Sequence, residues 1–397
     1  MPRLLVGVLA LLAAVAPLAT DMYLPAFPTM AMEFRTSASS IQLTLTAFLV
    51  GLAVGQLVIG PISDRFGRRH LLIGGTIVCI AASVACALAP TIESLTAFRF
   101  AQGFTGAAGI VLSRAVISDR ARGAAAVKAL SLVMVISGVA PVVAPLLGGA
   151  VIDHVGWRGV FWVLTALAAA MLMGVLLHVR ETHPPELRTR GGLRVFGGSL
   201  AGVLGNRRYL GYTLTFAFGF GVMFAYISAS PFVFQNLFGL STMEYSIVFA
   251  CNGIGLICAS LLNARLAERL GSATLLRAGI LAVVALTALL TIDALVGPFK
   301  WLTLFLLWPT VASVGVIMVN ATALAVEQSR RAAGTGSAVL GALQFGLAAV
   351  VSPLVGLGGA ATATPMVLTM LTCAVLAYLA SLLAGKRLHA TSASPAP

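Results

Sequence analysis

Asp21 is the acidic residue that lies well inside an apolar stretch of the first half of the chain. A carboxylate in that setting is costly unless it is paired or protonated, so it marks a functional site by default. Desolvation favours the neutral form of a carboxyl, and a nearby cation favours the ionised form. A group balanced between the two can take up and release a proton. The plainer alternative is that Asp21 sits at a membrane interface or caps a helix beside Pro25. Arg99 opens another apolar run and is the expected counter-charge. Its guanidinium stays protonated, so its role would be to tune Asp21 or a proton-bearing water. Its alternative is to snorkel to the interface. A second group of residues suits binding rather than proton chemistry. Phe224, Tyr226 and Phe232 stand in an aromatic-rich run beside Pro231 and small residues, which suggests a cavity wall. Tyr23, Gln56, Asn252, Asn320 and Gln344 are the candidate polar groups of such a pocket, each equally open to a packing role.

Other chemistry is missing from the pattern. There is no Gly-x-x-x-x-Gly-Lys-Ser/Thr stretch, which argues against ATP-driven pumping by this chain. The five cysteines fall inside apolar runs with no metal-ligand spacing, and the five histidines lie at loops or helix ends. No nucleophile, base or metal cluster is found. An enzyme is not expected, and neither is a cofactor or a metal.

The elements that must carry these residues follow from composition. Of 397 residues 59% are hydrophobic and 9% charged, far below the quarter or so of charged residues in soluble domains. The chain needs lipid as its solvent. In lipid, backbone polar groups must pair internally, which leaves helices or a closed barrel. Runs such as 71–90 and 160–177 lack the alternation of barrel strands, so helices are predicted. Turn residues and charges divide the chain into twelve spans: 4–30, 41–60, 71–90, 95–117, 127–152, 159–179, 209–234, 244–264, 274–294, 300–325, 335–358 and 365–384. The first resembles a signal peptide at its start, but the apolar run continues to Met32 and reads as a spanning helix.

Lys and Arg gather on one side: 20 of the 25 fall on the side of the amino terminus, which places both termini in the cytoplasm. That distribution accounts for the net charge of +13 without a nucleic-acid partner. Residues 180–208 are polar, with Pro184, Pro185 and six arginines, and read as a cytoplasmic linker. It would separate a six-helix half over 1–179 from a second over 209–384, with 385–397 as a cytoplasmic tail. Asp64-Arg65-Phe66-Gly67 and Glu268-Arg269-Leu270-Gly271 repeat at an offset of 268 − 64 = 204 residues. Paired halves with a site between them are common transporter architecture. The predicted fold is an all-α integral membrane protein of twelve helices in two pseudo-symmetric halves.

Several motifs now carry a resemblance. Gly60-Pro61-Ile62-Ser63-Asp64-Arg65-Phe66-Gly67-Arg68-Arg69 resembles the loop signature of the major facilitator superfamily, and it falls between spans two and three. Arg99 with Gln102-Gly103 is similar to the fourth-helix signature of its proton-coupled members. Gly138, Pro141, Pro145, Gly148 and Gly149 resemble the fifth-helix signature of its drug:proton antiporters, with Ala140 where many exporters have Gly. Thr20-Asp21-Met22-Tyr23-Leu24-Pro25 and Ser230-Pro231-Phe232-Val233-Phe234 look like the bicyclomycin and chloramphenicol resistance branch. Some relatives carry a second carboxylate in the first helix, where this chain has Ala13-Ala14.

The resemblance implies export of small, mostly apolar antibiotics in exchange for protons, by alternating access, across the bacterial inner membrane. It implies proton coupling through Asp21 and Arg99 and control of bending and leak through the fifth helix. The charged loop reads as a gate latch: Gly60, Asp64, Arg65, Gly67, Arg68 and Arg69, joined by Arg114 and Asp119, with Asp64 at the start of the eleventh helix near Gly334 to Gly336. The expected partners are protons, a lipophilic drug-like substrate and the bilayer, and a monomer suffices. A metabolite or sugar transporter of the same superfamily is the nearest alternative, though its core would carry more polar groups. A non-transporting scaffold or receptor is the alternative from another class, and would tolerate loss of Asp21.

Overall fold

The computed structural model describes residues 3–184, 186, 198, 200–329, 332–359 and 361–385. Residues 185, 187–197 and 199 of the expected linker lie outside them, as do the tail from 386 and the basic residues Arg188, Arg190, Arg194, Arg330, Arg331, Lys386 and Arg387. Among the described residues there is no strand, and twelve helices are long and apolar enough to cross a membrane. The first is α1 (Arg3–Asp21), prolonged after a break by a 3-10 turn (Leu24–Ala26) and a short helix (Phe27–Glu33). It is followed by α2 (Ala38–Phe66), α3 (Arg68–Ala87), α4 (Ile92–Arg120), α5 (Ala124–Val155) and α6 (Trp157–His178). The second half holds α7 (Arg207–Phe232), a π turn (Val233–Leu237), α8 (Thr242–Leu270), α9 (Ser272–Val296), α10 (Lys300–Gln328), α11 (Ala333–Leu354) and α12 (Thr364–Gly385).

Twelve spans alternate in direction, so α1 begins and α12 finishes at one end of the bundle, the proximal end. The opposite end is the distal end. Local chemistry sets the helix limits. Ser37 accepts from the Ser40 amide to start α2, and Thr91 with Ser94, and Ser241 with Glu244, close capping boxes on α4 and α8. Gly67 (φ 95°) and Gly271 (φ 76°), the two glycines of the repeated motif, turn the chain from α2 into α3 and from α8 into α9. Helices α2 and α8 run past the predicted spans to Phe66 and Leu270. Their charged last turns stay helical beyond the apolar layer, since 29 residues span roughly 44 Å against a hydrocarbon core of about 30 Å.

The first span departs from the prediction. It is not one helix over 4–30, because α1 stops at Asp21. Pro25 and Pro28 have no N–H to give to the carbonyls of Asp21 and Leu24, and each stands in the first turn of a new short element, where a missing N–H costs nothing.

The packing repeats between halves. In the first, α1 touches α4, α5 and α6, α2 touches α4, and α3 touches α4 and α6. In the second, α7 touches α10, α11 and α12, α8 touches α10, and α9 touches α10 and α12. Between halves the main contacts are α2 with α11 and α5 with α8. A two-fold that exchanges the halves exchanges those two pairs.

Candidate functional site

Asp21 ends α1 and is buried, at 4% exposure. Among the described residues no cation forms an ion pair with it. Its carboxyl lies within electrostatic reach of the Tyr226 and Tyr245 hydroxyls in the second half. Arg99, fully buried on α4, goes elsewhere. Its Nη1 donates to the Ala19 carbonyl at 3.0 Å and to Gln102 Oε1 at 2.6 Å. Gln102 Nε2 in turn donates to Ser83 Oγ at 2.8 Å. The guanidinium carbon lies 4.2 Å from the ring centres of both Tyr23 and Phe48, and 5.8 Å from that of Phe161. Nε and Nη2 make no hydrogen bond among the described residues.

The expected pairing of Arg99 with Asp21 is therefore not the one found. Ala19 is among the last residues of α1, whose carbonyls have run out of helical donors, and the guanidinium supplies one. Positions two apart on a helix face away from each other, so the side that meets Arg99 is not the side that carries Asp21. Arg99 clamps the break in α1 while Asp21 faces the other half.

The charged loop is assembled, with changed partners. Arg68 binds Asp64 Oδ1 at 2.6 Å and Asp119 Oδ2 at 3.3 Å, and also donates to Ser63 Oγ. Ser63 Oγ donates to the Gly60 carbonyl at 2.7 Å, and Arg65 stacks on the exposed ring of Phe66. The ion-pair partner of Asp64 is Arg68, and Gly334 has nothing within 4 Å of where a Cβ would stand. Arg114 is exposed and stands outside the network formed by Asp119.

Sequence reasoning missed Glu181. Gly67 offers no side chain to cap α3, and Glu181 does so from beyond α6, accepting from the Arg68 amide at 2.8 Å and the Arg69 amide at 3.2 Å. Thr182 Oγ1 donates to Asp119 Oδ2 at 2.8 Å, and Arg69 Nη2 to the Leu176 carbonyl at 3.3 Å. Burial pushes the Glu181 carboxyl up, but amide donors from His183, Arg68, Arg69 and Thr182 outweigh that and hold it below its ordinary value. The available signal was an acid set directly after the sixth span in an otherwise basic stretch.

On α5, Pro141 and Pro145 stand within a continuous helix. A Cβ at Gly148 would run into the Met22 backbone carbonyl, and one at Gly149 would meet Ser246 Oγ of α8 at 2.6 Å. Gly138 has open space around it. The motif thus presses against the α1 break and against the other half at its distal part only.

The eight pocket candidates do not form one cavity. Tyr23 belongs to the aromatic box around Arg99, its hydroxyl 3.2 Å from Thr44 Oγ1. Tyr226 accepts from Asn252 Nδ2 at 2.8 Å and stacks on Phe249, close to Asp21. Phe224 packs on Phe220, and Phe232 faces Phe27 across the halves. Gln56 is buried against Gly341 where α2 crosses α11, with no partner for Nε2. Asn320 donates to Asn263 Oδ1 at 2.6 Å, tying α10 to α8 inside the second half. Gln344 is half-buried on α11. Of the eight, Tyr226 is the one within electrostatic reach of Asp21, and Asn252 is joined to that tyrosine. Among the described residues no group of His, Cys, Asp and Glu is placed to hold a metal ion.

Comparison with known proteins adds a lineage. The model for the Major Facilitator Superfamily matches residues 9–353. The chain is 40% identical over 94% of its length to the uncharacterized MFS-type transporter YdgK of Bacillus subtilis, covering 93% of that protein. It is 32% identical to the bicyclomycin resistance protein homolog of Haemophilus influenzae, over 94% of each chain. Among solved structures, the xylose transporter XylE from E. coli, in a partially occluded inward open conformation, superposes with a TM-score of 0.72 over 99% of each chain at 15% identity.

Proposed function

The chain belongs to the Major Facilitator Superfamily and is a multi-pass membrane transporter, and on that premise we propose that it exports small, mostly apolar drug-like molecules in exchange for protons. One observation carries the reading: a buried carboxylate, with no cation paired to it among the described residues, stands at the α1 break within electrostatic reach of Tyr226 and Tyr245 of the other half. A group so placed changes the charge of the inter-half interface by one when it takes a proton. The name of the bicyclomycin resistance protein homolog supports an antibiotic-like substrate.

The proximal end is taken as cytoplasmic and the membrane as the bacterial inner membrane, with both termini inside. The two halves alternate access to the Asp21 region. Facing the cytoplasm, the ionised site takes up drug. Facing outward, protonation of Asp21 weakens drug binding, and the neutral site returns. Moving one charge through 100 mV is worth about 2.3 kcal/mol, and Asp21 alone implies one proton per cycle. Arg99 is a positioning residue in this scheme, since it holds the break rather than carrying the proton. The Gly60 to Arg69 loop, with Asp119 and Glu181, is the proximal latch, and α5 is the bending element beside the break.

The test is accumulation of chloramphenicol and a fluorescent lipophilic dye in cells expressing the chain, with and without a protonophore. Low accumulation that rises several-fold with the protonophore is the expected result. Equal accumulation in every condition, with the protein present in the membrane, rejects drug export and redirects the search to polar metabolites.

A further inference from the structure

Helix α7 does not simply stop at the distal end. Pro231 cannot donate to the Ile227 carbonyl, and the Ser230 hydroxyl bonds to it instead at 3.3 Å. The helix then widens into the π turn Val233–Leu237, a geometry that concentrates at functional sites. The extra residue aims Gln235 across the interface. Its Nε2 donates at 2.9 Å to the carbonyl of Pro25, in the buried 3-10 turn that follows Asp21. Hydrogen bonds joining the halves among the described residues gather at this end. Between α2 and α11 they are Thr46 to the Ala349 carbonyl at 3.2 Å and Ser352 to the Gln42 carbonyl at 3.4 Å, and between α2 and α7 Gln42 donates to the Ser228 carbonyl at 3.0 Å. On the α1–α7 flank the bond is that of Gln235, beside the contact of Phe27 with Phe232.

We propose that Gln235 is the distal-gate residue of the α1–α7 flank: its amide must release the Pro25 carbonyl before the distal end opens. Pro25 lies four residues from Asp21 on the same broken segment, so release is mechanically tied to the carboxylate. Gln235 is half-buried at the rim and touches neither Asp21 nor Arg99, which makes it a positioning residue. The inference rests on the alternating-access reading. Met22 of the same segment is pinned against Gly148 of α5, so the turn bearing Pro25 has one fixed side and one releasable side.

The experiment is hydrogen–deuterium exchange mass spectrometry on the full chain in lipid nanodiscs, comparing the parent with Gln235→Leu, Gln235→Asn and Asn236→Ala. Loss of one such hydrogen bond shifts the distal equilibrium by roughly 2- to 10-fold. Backbone exchange over 22–36 and 233–245 is expected to quicken by that factor in both Gln235 variants. Exchange at the proximal ends of α2 and α8 stays at the parent rate, and Asn236→Ala, an exposed neighbour, leaves every segment unchanged. Parent-like exchange in folded Gln235 variants overturns the proposal, as does equal quickening in Asn236→Ala. Exchange needs neither drug nor proton gradient. A shift in exchange without any drug transport keeps the gate and removes the export reading, and confirmed export with unmoved exchange does the reverse.

Discussion

Arg99 is held by its shape as much as by its charge. The guanidinium lies between the rings of Tyr23 and Phe48 and donates to Ala19 and Gln102 from one nitrogen. Lysine keeps the charge but loses the flat face on the two rings, and its tetrahedral ammonium does not reproduce the two bonds of the planar Nη1. Arg99→Lys is therefore expected to lower stability by about 2 to 4 kcal/mol, the sum of a desolvated cation–π contact and a charged hydrogen bond, read as thermal unfolding in detergent. A parental melting temperature would mean that charge alone matters there. Glu181 makes a prediction of opposite character. Its carboxyl is held below the ordinary value in the folded chain, so its contribution to stability is present at neutral pH and is lost as pH falls through the folded value. The stability gap between the parent and Glu181→Gln should be full at pH 7 and close below the ordinary carboxylate range, about 4.3. A gap unchanged in acid would remove Glu181 from the latch. Asp21 and Arg99 stood out in the sequence because ionisable groups are rare in apolar runs, and both are buried in the structure. Their separation was not legible there, because it depends on where α1 breaks and on which side of the last turn each group meets.

At the scale of the element, α5 shows what a motif says and omits. The glycines at 138, 148 and 149 are alike in sequence, yet 148 and 149 touch neighbouring chain segments and 138 stands in open space. Gly148→Ala is expected to force apart α5 and the Met22 turn, costing roughly 1 to 3 kcal/mol and most of the transport activity. Gly138→Ala should be neutral or slightly stabilising, since alanine in a helix gains up to about 1 kcal/mol over glycine. Thermal unfolding and drug accumulation for the two variants side by side decide the point; equal damage from both would contradict close approach as the reason for Gly148. The helices themselves were readable from apolar runs and charged turns. The break in the first span was signalled by Pro25 and Pro28, but an apolar run masks it, since the hydropathy of a run does not report helix continuity. The π turn after Pro231 left no sequence trace beyond the proline. Glu181 escaped because it caps a helix from 113 residues away, and no local pattern encodes that contact.

For the whole molecule, two six-helix halves with the same internal packing meet through pairs that their two-fold exchanges, α2 with α11 and α5 with α8. The short repeat at Asp64 and Glu268 foreshadowed that symmetry. The lean of the halves was out of reach of the sequence, because it depends on which end the inter-half bonds join. Here Gln42, Thr46, Ser352 and Gln235 join the distal end. In the proposed export cycle the group that couples rocking to a proton is Asp21, which stands where the broken segment, α7 and α8 come together. The most direct measurement is transport in proteoliposomes loaded with the parent or with Asp21→Asn, reading gradient-driven drug movement and drug counterflow without a gradient in the same vesicles. The account predicts that Asp21→Asn loses gradient-driven movement by at least about tenfold, one unit of coupled charge being worth about 2.3 kcal/mol per 100 mV, while counterflow persists. Gradient-driven movement at the parental rate in Asp21→Asn would contradict it.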